Sequence, residues 1–140
     1  MAGGFKYTRR VQFSETDLAG IAHFSAFFRF IEEAEHALWR AAGLSIGKAE
    51  ETGGWPRVSA SFDFKNPLRF EDEFDVEVHL TVVTRRSIQY GFTITCRDTL
   101  IGTGTMTAVC TRRHEGKMQA VDIPSEVIAK LRGVLERGSG

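Results

Sequence analysis

The apolar residues of this chain recur first at every second position, then at helical spacing, and then at every second position again. Between Phe5 and Phe13 the side chains alternate in character, which predicts a half-buried β-strand. From about His23 to Ala42 the apolar residues follow the period of an α-helix, which predicts one long helix. Gly43 comes next, where a left-handed residue commonly ends a helix. The predicted apolar stripe comprises Phe24, Phe27, Phe28, Ile31, Ala34, Leu38 and Ala42.

Four more runs with a period of two follow the helix: Arg57 to Phe64, Phe74 to Val82, Ile88 to Cys96 and Leu100 to Arg112. A polar connection from Ser45 to Trp55, with room for one helical turn, precedes them. Pro124 begins a short amphipathic helix. Strands that succeed one another without βαβ units form an antiparallel sheet. The expected fold class is therefore α+β, with a sheet of about five strands wrapped around one long central helix.

Length and charge restrict the class of protein. The 140 residues suit a single domain over 1–140, and eighteen basic side chains balance eighteen acidic ones. No net charge would therefore attract nucleic acid or an acidic membrane. The N-terminal segment lacks the apolar run of a signal peptide, and no stretch is long enough to span a bilayer. We expect a cytoplasmic protein without nucleic-acid or membrane partners, and we set residues 137–140 aside as a frayed or tag-like tail.

The cysteines and histidines do not form a recognisable site. Cys96 and Cys110 lie in predicted strands without C-x-x-C spacing, which favours free buried thiols over a disulfide. The four histidines are scattered without metal-ligand spacing, so we expect no metal. A Gly-rich nucleotide loop after a strand and a G-x-S-x-G nucleophile elbow are both missing from the sequence.

One turn of the chain carries a candidate active site. Asp17 lies between the first strand and the long helix, Gly20 is the pivot of the turn, and His23 precedes the helix start. A carboxylate can act as a base or a nucleophile. The unpaired amides of a helix start can stabilise an oxyanion. The same residues also suit a plain turn or helix cap, since Asp is common in both.

The turn T-D-L-A-G-I-A-H-F and the helix F-F-R-F-I-E-E-A-E resemble the 4-hydroxybenzoyl-CoA thioesterase branch of the hotdog-fold superfamily. The resemblance continues through V-S-A-S-F in the second strand, T-R-R-S-I before the fourth, and I-P before the last helix. It implies a hotdog fold and hydrolysis of an acyl- or aryl-CoA thioester by a homodimer or homotetramer. No cofactor is implied, because coenzyme A is part of the substrate.

The resemblance also implies roles for individual residues. Asp17 matches the catalytic carboxylate, Gly20 the turn glycine, and Phe24 the residue whose backbone N–H polarises the thioester carbonyl. Arg85 and Arg86, which precede Ser87, match a basic cluster that meets the phosphates of coenzyme A. The same comparison leaves open whether Asp17 acts as general base or as nucleophile.

Two departures from the family pattern affect these expectations. Many relatives carry Tyr-His where this chain has His23-Phe24, so a direct role for His23 is open between catalysis, positioning and structure. An Arg that often follows the helical Glu is replaced by Glu35. We expect Glu32, Glu33 and Glu35 to be interface or solvated groups without that basic partner. We also expect Glu15 to face outward and the aromatic residues of the helix, with Trp55, to belong to the core or an interface.

Two other functions remain as alternatives. A hotdog dehydratase or hydratase would use a histidine with a carboxylate, and His23 is its candidate, although the His-Phe-Pro type signature is absent. A non-catalytic module that binds acyl-CoA or acyl-carrier protein would keep the scaffold alone. The acyl chain and the choice between CoA and carrier-protein donors are not readable from the sequence.

Overall fold

The computed structural model describes residues 4–137, so residues 138–140 of the expected tail lie outside it. The strands are β1 (Phe5–Arg10), β2 (Arg57–Phe64), β3 (Glu73–Val83), β4 (Ser87–Cys96), β5 (Thr99–Val109), β6 (Thr111–His114) and β7 (Lys117–Ala120). The α-helices are α1 (Ala26–Ala41), α2 (Ala49–Thr52) and α3 (Ser125–Arg137), and Phe13–Glu15 forms one turn of 3-10 helix.

Five strands form one antiparallel sheet in the order β1-β3-β4-β5-β2. Helix α1 packs against this sheet, and α3 packs against α1. β6 and β7 form a separate hairpin. The predicted α+β architecture, with five strands, one long helix and a C-terminal helix after Pro124, is confirmed. The sheet leaves β1 and β2 as its two edges.

Helix α1 begins later than predicted, and its buried face is shifted from the predicted stripe, although Phe27, Ile31, Ala34 and Leu38 are buried as predicted. It starts at Ala26 rather than near His23, and Phe24 and Phe28 are exposed rather than buried. Phe30 and Trp39 are fully buried instead. The prediction was wrong for Phe24 because it continued the helical period through residues 24 and 25, which form a turn before the helix. The buried face comprises Ala26, Phe27, Phe30, Ile31, Ala34, Glu35, Leu38 and Trp39.

Two strands end earlier than predicted. β1 stops at Arg10 instead of Phe13, because the Gln12 N–H donates to the Glu15 side chain (2.8 Å) rather than to a strand. β5 stops at Val109 instead of Arg112, because the Thr111 N–H donates to the Gly54 carbonyl (2.8 Å) and the chain leaves the main sheet there.

A buried polar network fastens α1 to β2 and β4. Glu35 is fully buried, and its carboxylate binds the Arg57 guanidinium, with Nη1 to Oε2 at 2.9 Å. The Trp39 indole N–H donates to the Tyr90 hydroxyl (3.0 Å). Burial, and then the charge of Glu35, raise the pKa of Tyr90 well above its ordinary value, so its hydroxyl stays protonated. The expectation that Glu35 lacks a basic partner was wrong, since Arg57 comes from another element.

Two glycines of β5 let an aromatic side chain lie flat on the sheet. Gly102 and Gly104 pair with Phe64 and Phe62 of β2. A Cβ atom at Gly104 would lie 2.6 Å from the Phe62 ring, and one at Gly102 would meet both that ring and the Asp63 carbonyl. This close approach brings β2 aromatic residues against Phe27 of α1.

Candidate active site

The turn between the 3-10 helix and α1 is closed by its own backbone. The Asp17 N–H donates to the Ile21 carbonyl and the Gly20 N–H to the Asp17 carbonyl, both at 2.9 Å. Gly20 has φ +81°, a left-handed conformation that favours glycine. Asp17 Oδ1 accepts the Ala19 N–H (2.9 Å). Asp17 therefore helps to form the turn with one oxygen, and its second oxygen has no partner among residues 4–137.

Isolated backbone bridges, including one to the connection between β2 and β3, hold this turn in place. Thr16 forms an antiparallel bridge with Ala22, and Ile21 forms another with Arg69. The Ala22 N–H donates to the Leu68 carbonyl (2.7 Å). Asp17 is exposed at the tip, but the backbone on both sides of it is fixed to the fold.

The residues just before α1 leave one amide unused. The His23 N–H donates to the Glu15 carbonyl (2.8 Å), and the Ala26 N–H to the His23 carbonyl (2.9 Å). The Ser25 N–H donates to His23 Nδ1 (3.2 Å), which also lies 2.8 Å from Ser25 Oγ. Within residues 4–137, the Phe24 N–H alone of these four amides has no acceptor. His23 Nδ1 is therefore engaged by Ser25 just before the helix, and no hydrogen bond joins His23 to Asp17 within residues 4–137.

Asp17 and Phe24 line one cavity of about 360 Å³. It is bounded on one side by the Asp17 turn and the start of α1, and on the other by the end of β2 and the loop after it. Most of its exposed wall is apolar, and the carboxylate is at its rim. The lining residues are Asp17, Ile21, Ala22, Phe24, Phe27, Phe64, Lys65, Asn66 and Pro67.

Sequence reasoning missed the far wall of this cavity. Phe64 is the last residue of a predicted strand, and Asn66-Pro67 follows it after one residue. The Lys65 side chain was not considered, although it is a cation on the same cavity as Asp17. Turn chemistry at Asn66-Pro67 indicates only where β2 stops, and no local pattern predicts that this end meets a turn some fifty positions earlier in the chain.

The basic cluster lies far from Asp17 within one chain. Arg85 and Arg86 are exposed, and each places Nε near Asp122 Oδ1, at 3.5 and 3.1 Å. Ser87 begins β4 and its hydroxyl lies 2.7 Å from that of Thr84. This end of the sheet is opposite to the Phe64 end, because β4 runs from Ile88 beside Ala108 to Ile94 beside Gly102. Six residues of strand separate the two ends by roughly 20 Å.

Glu15 does not face outward as expected. Its side chain is buried, and both of its oxygens lie 2.7 Å from Arg9 Nη2. Arg9 also binds Glu33, with Nη1 to Oε1 at 3.0 Å, so Glu33 has a basic partner from β1. Both corrections have the same cause. The Arg9 side chain of β1 binds Glu15 of the 3-10 turn and Glu33 of α1 together, and the alternating strand pattern does not show which side chains it reaches.

The cysteines are free and buried, as predicted. Burial raises the pKa of the Cys96 thiol and of the Cys110 thiol, which keeps both protonated near neutral pH. Neither lines the Asp17 cavity. In the described part of the chain, no group of three or more His, Cys, Asp or Glu side chains is arranged to hold a metal. No helix within residues 4–137 is long and apolar enough to cross a membrane.

Comparison with known proteins points to one kind of chemistry. Residues 11–131 match the profile of a family described as the thioesterase-like superfamily. A protein of Aquifex aeolicus described as a candidate esterase is 33% identical over 129 residues, which cover 91% of this chain and 98% of that protein. A 1,4-dihydroxy-2-naphthoyl-CoA hydrolase of Synechocystis is 32% identical over 81 residues, or 56% of this chain and 59% of that protein.

A solved structure agrees with these relatives. That of a gentisyl-coenzyme A thioesterase has a TM-score of 0.79 and 26% sequence identity to this chain. The superposition covers 88% of this chain and 98% of that one. The likeness therefore extends over most of both chains and concerns the fold as a whole.

Proposed function

This chain belongs to the thioesterase-like superfamily, as a hotdog-fold hydrolase of CoA thioesters, and from that premise we propose that Asp17 and the Phe24 N–H carry out the hydrolysis. The observation that carries the proposal is the cavity that Asp17 and Phe24 both line, together with a Phe24 N–H that has no acceptor within residues 4–137. Groups of these two kinds are what the cleavage of a thioester requires.

Asp17 is the group that attacks or activates. One oxygen is held by the Ala19 N–H at 2.9 Å, which fixes the plane of the carboxylate and leaves the second oxygen for chemistry. That oxygen either takes a proton from water, which then attacks the thioester carbon, or attacks that carbon itself to give a mixed anhydride. In the first route the proton taken from water passes to the departing coenzyme A thiolate. In the second, water hydrolyses the mixed anhydride, which restores the Asp17 carboxylate and supplies the proton for the thiolate. Both routes therefore yield coenzyme A as a free thiol and the acid product.

The Phe24 N–H is the donor for the developing oxyanion. It belongs to the turn that leads into α1, where the positive end of the helix dipole also favours negative charge. His23 and Ser25 support this role indirectly, because their mutual hydrogen bonds use the adjacent amide and leave that of Phe24 available. His23 is thus a positioning residue in this account, and Gly20 permits the turn.

A second subunit completes the site in this proposal. β2 is an edge strand whose end forms a wall of the cavity, and Val58 and Phe64 on it are exposed. An exposed edge with apolar side chains favours pairing with another strand. Pairing of β2 with the β2 strand of a second copy about a two-fold axis is antiparallel, so it places opposite ends of the two sheets side by side.

That arrangement gives Arg85 and Arg86 a function. In one chain they lie at the sheet end opposite to Asp17, but two-fold pairing along β2 brings the second copy's basic cluster toward the Asp17 end. Exposed guanidinium groups suit phosphate oxygens. We therefore assign Arg85, Arg86 and the start of β4 at Ser87 to the nucleotide part of coenzyme A, in a homodimer or homotetramer located in the cytoplasm.

The test is a free-thiol release assay over aryl-CoAs and aliphatic acyl-CoAs of increasing length. The proposal predicts stoichiometric release of thiol and acid from at least one class. Loss of water from 3-hydroxyacyl-CoA, monitored by the absorbance of the enoyl-CoA product, would instead identify a dehydratase. Tight binding of every thioester without release would identify a binding module and contradict the proposal.

A further inference from the structure

A buried ion pair supports the loop that joins the two proposed reacting groups. Arg9 of β1 and Glu15 of the 3-10 turn are only 9% and 8% exposed in their side chains. Both carboxylate oxygens of Glu15 lie 2.7 Å from Arg9 Nη2, and the guanidinium is stacked 4.7 Å above the ring of Phe30. The side chain of Glu15 is therefore anchored to the sheet and to α1 at once.

Glu15 forms hydrogen bonds on both sides of the loop from 15 to 23, to Gln12 before it and to His23 at its end. On the entry side, Glu15 N–H donates to the Gln12 carbonyl (3.0 Å), and Glu15 Oε1 accepts the Gln12 N–H (2.8 Å). On the exit side, the Glu15 carbonyl accepts the His23 N–H (2.8 Å). Glu15 thus closes the loop from 15 to 23, within which Asp17 lies.

The same contacts fix the direction of the Phe24 N–H. The peptide between His23 and Phe24 is planar and trans, so its C=O and N–H point in opposite directions. Its carbonyl is held by the Ala26 N–H (2.9 Å), and the preceding amide is held by the Glu15 carbonyl. A shift of Glu15 would therefore rotate or displace the Phe24 N–H.

Asp17 depends on Glu15 in a parallel way. It follows Glu15 by two residues, and its intervening neighbour Thr16 is bridged to Ala22. Glu15 itself lines a different cavity from Asp17, together with Tyr7, Phe13 and Phe70. Its carboxylate is thus a neighbour of the reacting groups along the chain but does not share their cavity.

We propose that the Arg9–Glu15 pair is a positioning element that holds Asp17 and the Phe24 N–H at the separation the reaction needs. This inference rests on the proposed function. Displacement of reacting groups by about 1 Å can reduce turnover by about 100-fold. We expect the pair to act on the chemical step more than on binding, because Arg9 and Glu15 neither line the cavity of Asp17 and Phe24 nor contact Arg85, Arg86 or Ser87, the residues assigned to coenzyme A.

The test compares Glu15→Gln with Glu73→Gln in steady-state thioester hydrolysis. Glu73 of β3 is the matched control, because its carboxylate pairs at 3.5 Å with Arg10, the residue next to Arg9 on β1. Unlike the buried pair, the Arg10 and Glu73 side chains are 61% and 63% exposed. For Glu15→Gln we expect kcat to fall about 10- to 100-fold, with KM and the inhibition constant of free CoA changed less than about twofold. Glu73→Gln should match the parent enzyme.

A merely structural role gives a different pattern. If Glu15→Gln lowered the unfolding temperature but kept the parent kcat in fully folded protein, the inference would be wrong. It would also be wrong if the loss of kcat equalled the unfolded fraction. If Glu15→Gln fails to fold, Arg9→Lys is the second test variant, because lysine keeps the positive charge but lacks the forked geometry of the guanidinium. A folded Arg9→Lys enzyme with unchanged kcat would overturn the inference.

Failure of this inference and failure of the proposed function give distinct results. An Asp17→Asn enzyme with parent activity would contradict the proposed function, because Asp17 would then not be the reacting group that the pair positions. An inactive Asp17→Asn enzyme beside a fully active Glu15→Gln enzyme would leave the proposed function intact and exclude the positioning role.

Discussion

Single residues of the candidate site do their work mostly through the backbone. Asp17 contributes a side-chain oxygen, but its partner in the proposed reaction is the N–H of Phe24, whose aromatic ring is 62% exposed and lies on the cavity wall. A backbone donor cannot be removed by changing most side chains. Proline is the exception, because it has no N–H.

Phe24→Pro, compared with Phe24→Ala, therefore distinguishes the effect of losing the backbone N–H from the effect of losing the aromatic ring. Proline is tolerated near the first turn of a helix, and α1 starts two residues later at Ala26. We expect kcat to fall about 10²- to 10³-fold, the usual effect of losing one oxyanion donor. Phe24→Ala is the control, since it keeps the N–H and alters only the apolar wall, so it should raise KM more than it lowers kcat. Equal kcat values for the two variants would contradict the assignment of this amide.

The near side of the site was predictable because its parts are adjacent in the chain. Asp17, Gly20 and Phe24 lie within eight residues, and turn and helix-start chemistry acts over that range. Lys65 was not predictable because it comes from another part of the sequence. The burial of Glu15 was not predictable because it depends on how the 3-10 turn folds back onto Arg9 of β1, which a period of two does not show. The period of the helix indicated which residues could be buried, but not that Phe24 precedes the helix.

At the scale of elements, the sheet and α1 were predictable because each has a clear period. The connection between them was not. Glu35 on α1 and Arg57 on β2 form an ion pair in the core, although nothing in either local pattern distinguishes them from surface charges. Burying one charge is tolerated only when its partner is present.

Arg57→Met tests this connection. It leaves the fully buried Glu35 carboxylate without its guanidinium, and we expect it to reduce the free energy of unfolding by about 3 kcal/mol. Urea unfolding at one fixed protein concentration measures the change. Glu32→Gln is the control, because Glu32 also lies 3.5 Å from Arg57 but is 49% exposed, so its loss should cost less than about 1 kcal/mol. Similar losses for both variants would mean that the core pair does not fasten α1 to β2.

At the scale of the whole molecule, the account depends on a second copy. One chain places Asp17 and the Arg85–Arg86 cluster at opposite ends of its sheet, roughly 20 Å apart along the strands. A site built across two subunits reconciles these positions. Each subunit then supplies Asp17 to one site and the basic cluster to the other.

Mixed dimers test this sharing. We expect Asp17→Asn to be inactive, and the double variant Arg85→Ala, Arg86→Ala to have a KM raised about tenfold or more through lost phosphate contacts. A heterodimer of the two, purified through two different tags, contains one fully intact site. It should recover about half of the parent kcat/KM. A heterodimer no more active than the mean of the two variant homodimers would contradict a site shared between two subunits.

The most direct measurement is the thiol-release rate of Asp17→Asn on the best acyl-CoA substrate, with CoA affinity and unfolding temperature measured on the same sample. Asp98→Asn, in the exposed turn between β4 and β5, provides the matched control, since asparagine accepts its left-handed φ of 66°. We predict that Asp17→Asn loses turnover while its CoA affinity and unfolding temperature stay near those of the parent, and that Asp98→Asn is fully active. Hydrolysis by Asp17→Asn at the parent rate would contradict the account.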